Sequence, residues 1–388
     1  MSFRRRTVPL AWLQLSKERL RFVVALLGVA FAVILVSMQV GFRAAMYRSA
    51  VRYHESLVYD LAMISPKTPF IGFPSSFSRR RLYQALGAAG VADVTPVYLR
   101  QAFWKNPWRH NSRNILVLAF DPTHDVLALP GVREHLRELE RPDVALFDAA
   151  SREEYGPVAT TVRATGPLTA EVNDRRITIV GLFTLGTSFG VDGSLVTSDL
   201  NYQRLFPDRP PGFVDLGLIH LEKGADPEDV RQRLADTLES DVQLLTPREF
   251  VAREVGYWGS TTPIGYVFGF GAVMGLIVGG VIVYQILFSD VSEHLSEYAT
   301  LKAIGYTNRD LSLVVLREAM ILAVLGFAPG MLVTLLLYRV TAEATRLPLE
   351  MSLAQAAGVL LMTLAMCAAS ALMALRKVRA TDPAEVFR

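Results

Sequence analysis

The sequence predicts an α-helical membrane protein with four transmembrane helices in a one-plus-three arrangement and a large mixed α+β domain between the first and second. Three observations predict it. The 388 residues are 51% hydrophobic with a mean hydropathy of +0.29, too apolar for an ordinary soluble chain of this size. Four uncharged stretches are long enough to cross a bilayer. Between the first two, residues 43–262 carry 25 Lys/Arg against 27 Asp/Glu and change to short β-like runs.

Taken in order, residues 1–21 hold six Lys/Arg and one acid. Within them, Leu10–Arg21 reads as an amphipathic lead-in helix on the cytoplasmic surface, with Val8, Trp12, Leu15 and Phe22 toward lipid and Lys17 and Arg19 toward water. The first span is 22–42, 21 residues without a charge; a helix of that length reaches about 31 Å, matching a hydrocarbon core of roughly 30 Å. A cleaved signal peptide is the alternative, because Arg4, Arg5 and Arg6 resemble its basic start. Against it, the apolar stretch is too long and no clear small-residue cleavage site follows. Residues 43–60 continue the span as a helical stalk, since Ala44, Tyr47, Ala50, Val51, Leu57 and Val58 recur on one side.

The second span is 263–289, opened by the cap and first-turn pair Thr262-Pro263. The third is 319–338, where Pro329-Gly330 should kink the helix, and the fourth is 351–375. Basic residues stay on the cytoplasmic side, and six precede the first span while Arg376, Lys377 and Arg379 follow the fourth. Both termini are therefore expected in the cytoplasm, with 43–262 and the short loop 339–350 outside. Residues 290–318 become a cytoplasmic loop by parity, because three basic against five acidic residues would not place it by charge. Residues 376–388 form a cytoplasmic tail.

Within the external domain, strands are expected at Val94–Leu99, Asn114–Phe120, Val144–Phe147, Arg176–Phe183 and Asp215–Leu221. Helical spacing occurs at Ser78–Leu86, Val132–Leu139 and Asp226–Leu238, the last opened by Asp226-Pro227. Roughly 200 residues can bury a core of their own, in one body or two subdomains. They must, because the single cysteine, Cys367, lies in an apolar run and can form no internal disulfide.

Several chemistries are argued against by the residues. The pI of 8.9 comes from short flanks and not from a basic stripe on a folded domain, so nucleic acid is not an expected partner. His54, His110, His124, His135, His220 and His294 are scattered without metal-ligand spacing. Gly186-Thr187-Ser188-Phe189-Gly190 matches G-x-S-x-G, but Val191-Asp192-Gly193-Ser194 reads as a second turn where a nucleophile elbow needs a helix. No catalytic residue is expected. Gly271, Gly275 and Gly279 form a small-xxx-small series inside the second span, which either packs the bundle of one chain or lets two copies approach closely. The assigned spans contain no Asp, Glu, Lys, Arg or His for an ion gradient to act on, and the sequence contains no G-x-x-x-x-G-K-[ST] phosphate loop. If work is done, a partner supplies the energy.

The loop 290–318 is built to receive it. Ser292–Ile304 has helical spacing, with Val291, Leu295, Tyr298, Leu301 and Lys302 on one side and Glu293 and Glu297 on another. Gly305 is a natural C-cap, and Thr307 with Asp310 makes a capping-box start for the next helix. A solvated helix that merely links two spans is the plainer reading.

The string Glu297-Tyr298-Ala299-Thr300-Leu301-Lys302-Ala303-Ile304-Gly305-Tyr306 resembles the E-x-A-x-L-[KR]-A-[IL]-G segment that follows the second span of FtsX/MacB-type (type VII) ABC permeases. Asp382-Pro383-Ala384-Glu385 resembles the D-P-[AV]-E ending of that superfamily. Leu10–Leu15, Phe120-Asp121-Pro122, Ser151–Pro157 and Gly181–Gly190 look like the DevC-type branch. The resemblance implies a homodimer in the lipid bilayer of the inner membrane, with a separate ABC ATPase seated on Ser292, Glu293, Glu297, Thr300, Leu301, Lys302, Ile304, Gly305 and Tyr306. ATP and Mg would then be held by that ATPase, and no cofactor by this chain. It further implies a periplasmic membrane-fusion adaptor and a TolC-like outer-membrane duct, with glycolipid or another amphiphile as cargo handled outside the cytoplasm. Two other readings stand beside it. One keeps the fold in a lipoprotein-releasing or cell-wall-hydrolase-activating complex, and the other is a membrane-anchored sensor with no ATPase partner.

Overall fold

Strands with apolar residues at every position bury both faces, and long runs without charge make helices that need no water. Both patterns govern this molecule. The computed structural model of the chain describes residues 19–380, of which some side chains, including those of Leu295, Tyr298, Lys302 and Ala303, lie outside the description. The lead-in helix at Leu10–Arg21, except its last three residues, and the Asp382–Glu385 ending also fall outside the described residues.

The elements are α1 (Arg19–Ser56), β1 (Leu61–Ile64), β2 (Phe77–Ser78), α2 (Arg80–Leu86), β3 (Val91–Lys105), β4 (Ser112–Phe120), α3 (Leu136–Leu139), β5 (Val144–Asp148), α4 (Val158–Thr165), β6 (Leu168–Val172), β7 (Arg175–Phe183) and β8 (Ser194–Ser198). There follow α5 (Asp199–Leu205), β9 (Phe213–Val214), β10 (Leu216–Leu221), α6 (Pro227–Thr237), β11 (Gln243–Leu245), α7 (Pro247–Gly256), a π turn over Tyr257–Thr261, α8 (Pro263–Glu293), α9 (Leu295–Ala303), α10 (Asn308–Thr345) and α11 (Leu353–Ala380). Two compact units result. Ala45–Ile264 with Ala342–Pro348 form one, and the residues up to Ala44, Gly265–Thr341 and those from Leu349 onward form the other.

The first unit is built on a nine-stranded sheet in the order β11-β1-β10-β3-β4-β8-β5-β7-β6. It does not divide into subdomains, because β3 belongs to both halves. Its first half pairs antiparallel with β10, its second half with β4, and Trp104 and Lys105 also pair with Val172 and Glu171 of β6. The strands β3, β4, β8, β5, β7 and β6 thus close a ring of pairings. Successive residues point to opposite sides. Ile115, Val117 and Ala119 of β4 enter a core shared with α2, α4, α5 and α6, whereas Leu116, Leu118 and Phe120 enter a second core that receives Tyr53 and Leu57 from the α1 end and Phe250 from α7. Helix starts are fixed locally: the Asp226 side chain accepts from Glu228 N at 3.0 Å, and Thr246 with Glu249 forms a capping box ahead of α7. The β6–β7 hairpin turns on Asn173 and Asp174, both at positive φ (48° and 59°), as a two-residue primed turn requires.

The second unit packs four long helices, of 38, 31, 38 and 28 residues for α1, α8, α10 and α11, each with a stretch apolar enough to cross a membrane. The membrane part of α1 is the element the others close on. Gly275 and Gly279 of α8 lie against Val36 and Ala32, and Gly326 and Gly330 of α10 lie against Val29 and against Ala30 and Val33. Small residues let backbones approach where lipid gives no hydrophobic drive. Pro329 lies inside the continuous helix α10, and Thr334 Oγ1 donates to the Gly330 carbonyl at 2.8 Å one turn on.

Candidate functional site

The segment joining α8 to α10 is an elbow whose geometry is set by three residue types. Gly305 has φ +106°, a conformation open to glycine and strained for any side chain. It ends α9 in a Schellman arrangement, with Tyr306 N–H donating to the Leu301 carbonyl at 3.0 Å. Directly after it, Asp310 N–H donates to Thr307 Oγ1 at 3.3 Å while Thr307 N–H donates to Asp310 Oδ2 at 2.9 Å, a reciprocal capping box that starts α10. Two helix ends that would otherwise present unsatisfied backbone groups are closed within seven residues of each other.

The helix before the elbow is shorter than the spacing suggests. Ser292 and Glu293 are the last residues of α8, and the break falls at His294, so α9 starts only at Leu295. At this end of α8, Ser292 Oγ donates to the Phe288 carbonyl at 2.5 Å, and Glu293 pairs bidentately with Arg21 of α1. Glu293 is thereby engaged inside its own chain. Within α9, Ala299 is buried and Leu301 packs on the bundle core, while Glu297 and Thr300 face outward, as does Ile304 just past its end, 72% exposed. Lys302 has its backbone in α9. Tyr306 stands at the turn and is 37% exposed. An exposed isoleucine between two capped helix ends is an apolar knob.

Gly271, Gly275 and Gly279 do not offer a face to a second copy. A side chain at Gly271 would meet Gln39 of α1, one at Gly275 would meet Val36 and Leu35, and one at Gly279 would meet Ala32 and Met366 of α11. This series packs one chain, the first of its two readings. Glu318 brings a correction. The assigned span 319–338 starts one residue beyond it, yet its carboxylate is fully buried in the bundle, neither oxygen has a hydrogen-bond partner among the described residues, and the like charge of Asp290 acts on it. The absence of ionisable groups from the spans therefore has an exception at its edge.

In the external unit the Gly186–Gly190 motif is structural. Ser188 Oγ accepts from Gly190 N–H at 3.3 Å and Val191 N–H at 3.1 Å, so the hydroxyl shapes its own turn and no helix follows. Asp148 holds the same loop through Leu185 N–H (3.0 Å) and Gly186 N–H (2.8 Å), and burial still pushes its carboxyl above the usual range. Ser151–Pro157 joins it, with Arg152 Nε 2.8 Å from Asp192 Oδ1 and Tyr155 donating to the Asn114 carbonyl. Onto this joint comes the loop 342–348. Arg346, at φ +58°, pairs with Glu153 at 2.6 Å and accepts at its carbonyl from Thr187 Oγ1 at 3.2 Å. Sequence reasoning missed this contact and Arg21–Glu293, since partners 193 and 272 residues apart leave no local signal. No cluster able to hold a metal occurs among the described residues.

Comparison with known proteins gives two family matches. The MacB-like periplasmic core domain matches residues 22–237, more than half of the chain, and the FtsX-like permease C-terminal family matches 269–383. No curated protein matches the chain significantly. Among solved structures, the periplasmic region of MacB from Actinobacillus actinomycetemcomitans aligns over 51% of this chain and 92% of its own at 10% identity, TM-score 0.36. The extracellular domain of the noncanonic ABC-type transporter YknZ from Gram-positive bacteria aligns over 48% and 99% at 12% identity, TM-score 0.34. A domain of a putative permease protein from Porphyromonas gingivalis aligns over 50% and 91% at 15% identity, TM-score 0.31. Scores this low carry no argument, and the assignment rests on the two family matches.

Proposed function

Because the chain belongs to the FtsX/MacB-like ABC transporter permeases, an inner-membrane family with a periplasmic core domain, we propose that it takes up the stroke of a separate ATPase at the α9–Gly305–α10 elbow and passes it to the external unit. The observation that carries this reading is the elbow itself. Its backbone is closed internally by a left-handed glycine and a capping box, while Ile304, Thr300 and Glu297 point away from the bundle. A stiff, capped projection transmits force better than a loop whose backbone groups are held by water.

The basic residues that precede the first span and follow the fourth support both termini and the elbow lying on the cytoplasmic side. The DevC-like motifs favour export of a glycolipid or another amphiphile, through a periplasmic adaptor and a TolC-like duct, by a homodimer. With Gly271, Gly275 and Gly279 occupied, that homodimer would use another face of the helices.

The test is ATP hydrolysis by the assembled complex. Gly305→Ala strains the turn by about 1–2 kcal/mol while its Cβ meets no atom within 4 Å, and Glu297→Lys reverses an exposed charge. Both variants should assemble and fold, and both should lose cargo-stimulated hydrolysis and export. Wild-type stimulation in both would remove the elbow from the power train. Purification in mild detergent followed by mass spectrometry tests the partners: an adaptor supports export, and a bound lipoprotein or hydrolase overturns it.

A further inference from the structure

A groove of about 800 Å³ runs between α8 and α11 on the side away from the Gly271–Gly279 series. Its walls include Ile277, Gly280 and Tyr284 of α8 and Met366 and Ala369 of α11, and its lining carries one charge, Arg376. Of its two hydroxyls, on Tyr284 and Ser370, the second is engaged inside the protein, because Ser370 Oγ donates to the Gly280 carbonyl at 2.8 Å. Along α11 the lining runs from Met362 to Arg376. That is about 21 Å of helix, against about 15 Å for the hydrocarbon of one leaflet, half of a core roughly 30 Å thick. With Met362 near the midplane, Arg376 therefore stands at headgroup depth.

We infer that this groove binds an anionic glycerophospholipid, its acyl chain along Ile277, Gly280, Met366 and Ala369 and its phosphate at Arg376. Charge complementarity selects the occupant. Arg376 is exposed and pairs with no carboxylate among the described residues, and Lys377 and Arg379 follow it in sequence. A guanidinium fork matches a phosphate with two parallel bonds, and basic pockets between spans are suited to anionic headgroups. A second protomer fits less well. A parallel two-fold dimer closing on this groove would hold two copies of Arg376 at one depth, like charge against like.

The full-length protein in nanodiscs of mixed phosphatidylglycerol and phosphatidylcholine, released and weighed by native mass spectrometry, tests this. Wild type should retain phosphatidylglycerol over phosphatidylcholine by about five-fold for one basic group at the surface. Arg376→Gln should abolish the preference while leaving some lipid bound. Ala369→Trp, at an exposed position, should fill the groove and expel both lipids. Equal retention of the two lipids by wild type, or an unchanged preference in Arg376→Gln, would overturn the proposal. So would a disulfide between copies through Ile277→Cys, which the buried native Cys367 does not confuse, since it would put a second protomer in the groove.

Discussion

The two units treat buried charge in opposite ways. In the external unit Asp215 is 2% exposed and fully answered: Arg209 reaches it through Nη1 at 2.6 Å and Nη2 at 2.8 Å, Leu99 N–H donates at 2.8 Å, and the guanidinium lies over the Tyr98 and Tyr202 rings. In the helical unit Glu318 is buried to 0% with no hydrogen-bond partner among the described residues. The external unit supplies donors to its buried carboxylates, Asp148 and Glu254 as well as Asp215. The other keeps a carboxylate whose burial is uncompensated, which natural proteins tolerate where a group is used.

That contrast can be broken by substitution. Asp215→Ala leaves Arg209 without its carboxylate, and the external unit should lose about 3–5 kcal/mol, read as an earlier chemical unfolding transition. Glu318→Met should do the reverse, raising stability by about 1–3 kcal/mol, because it removes an unpaired acid and keeps the volume. A destabilised Glu318→Met would mean that the acid has a partner and that the contrast is wrong. If the variant is more stable and no longer exports, the acid is functional.

The pH dependence sharpens the comparison inside the external unit. Glu254 accepts from Trp258 Nε1 at 2.9 Å and Ile71 N–H at 3.1 Å with His54 Nε2 3.5 Å away, and burial pushes its carboxyl from 4.5 up to about 7. A raised acid binds its proton more tightly when folded, so this contribution is complete below pH 4.5 and is lost as pH rises through about 7. Buried His54, held down to about 3, acts in the opposite sense below pH 6.5, so the readout is the difference between wild type and Glu254→Gln, which should shift by on the order of 1–3 kcal/mol between pH 5 and 8 in denaturant titrations. The smallest effect is expected at the surface. Arg346→Ala removes the Glu153 ion pair, with Glu153 81% exposed, and should change stability by only about 0.2–1 kcal/mol. If the 342–348 loop relays motion, export should fall by more than that change explains.

What was legible in the sequence was whatever one stretch of chain decides alone. Uncharged runs, the Gly305 turn, the Thr307–Asp310 box and the Asp226-Pro227 helix start are local physics, and strands were expected where β3, β4, β5, β7 and β10 lie. Short strands buried on both faces were not found: β1 and β8 are buried at every residue, so neither shows the alternation that marks a half-exposed strand. The Thr246-Pro247-Arg248-Glu249 capping box and the Asn173-Asp174 turn were readable but went unread. The capture of Glu293 by Arg21 could not be read, because it depends on a helix 272 residues away.

The sheet has a consequence for the order of biosynthesis. Its outer strand, Gln243–Leu245, pairs with Ala62–Ile64, so the start and finish of the external unit meet at one edge. Neighbouring strand pairings bridge most of the intervening chain, and such distant partners zip slowly. The unit can complete itself only after nearly all of it has been exported, just before Pro263 opens the next hydrophobic helix. A pause in translation near that point should favour maturation, and a truncation ahead of Gln243 should leave a sticky edge exposed to proteases and chaperones.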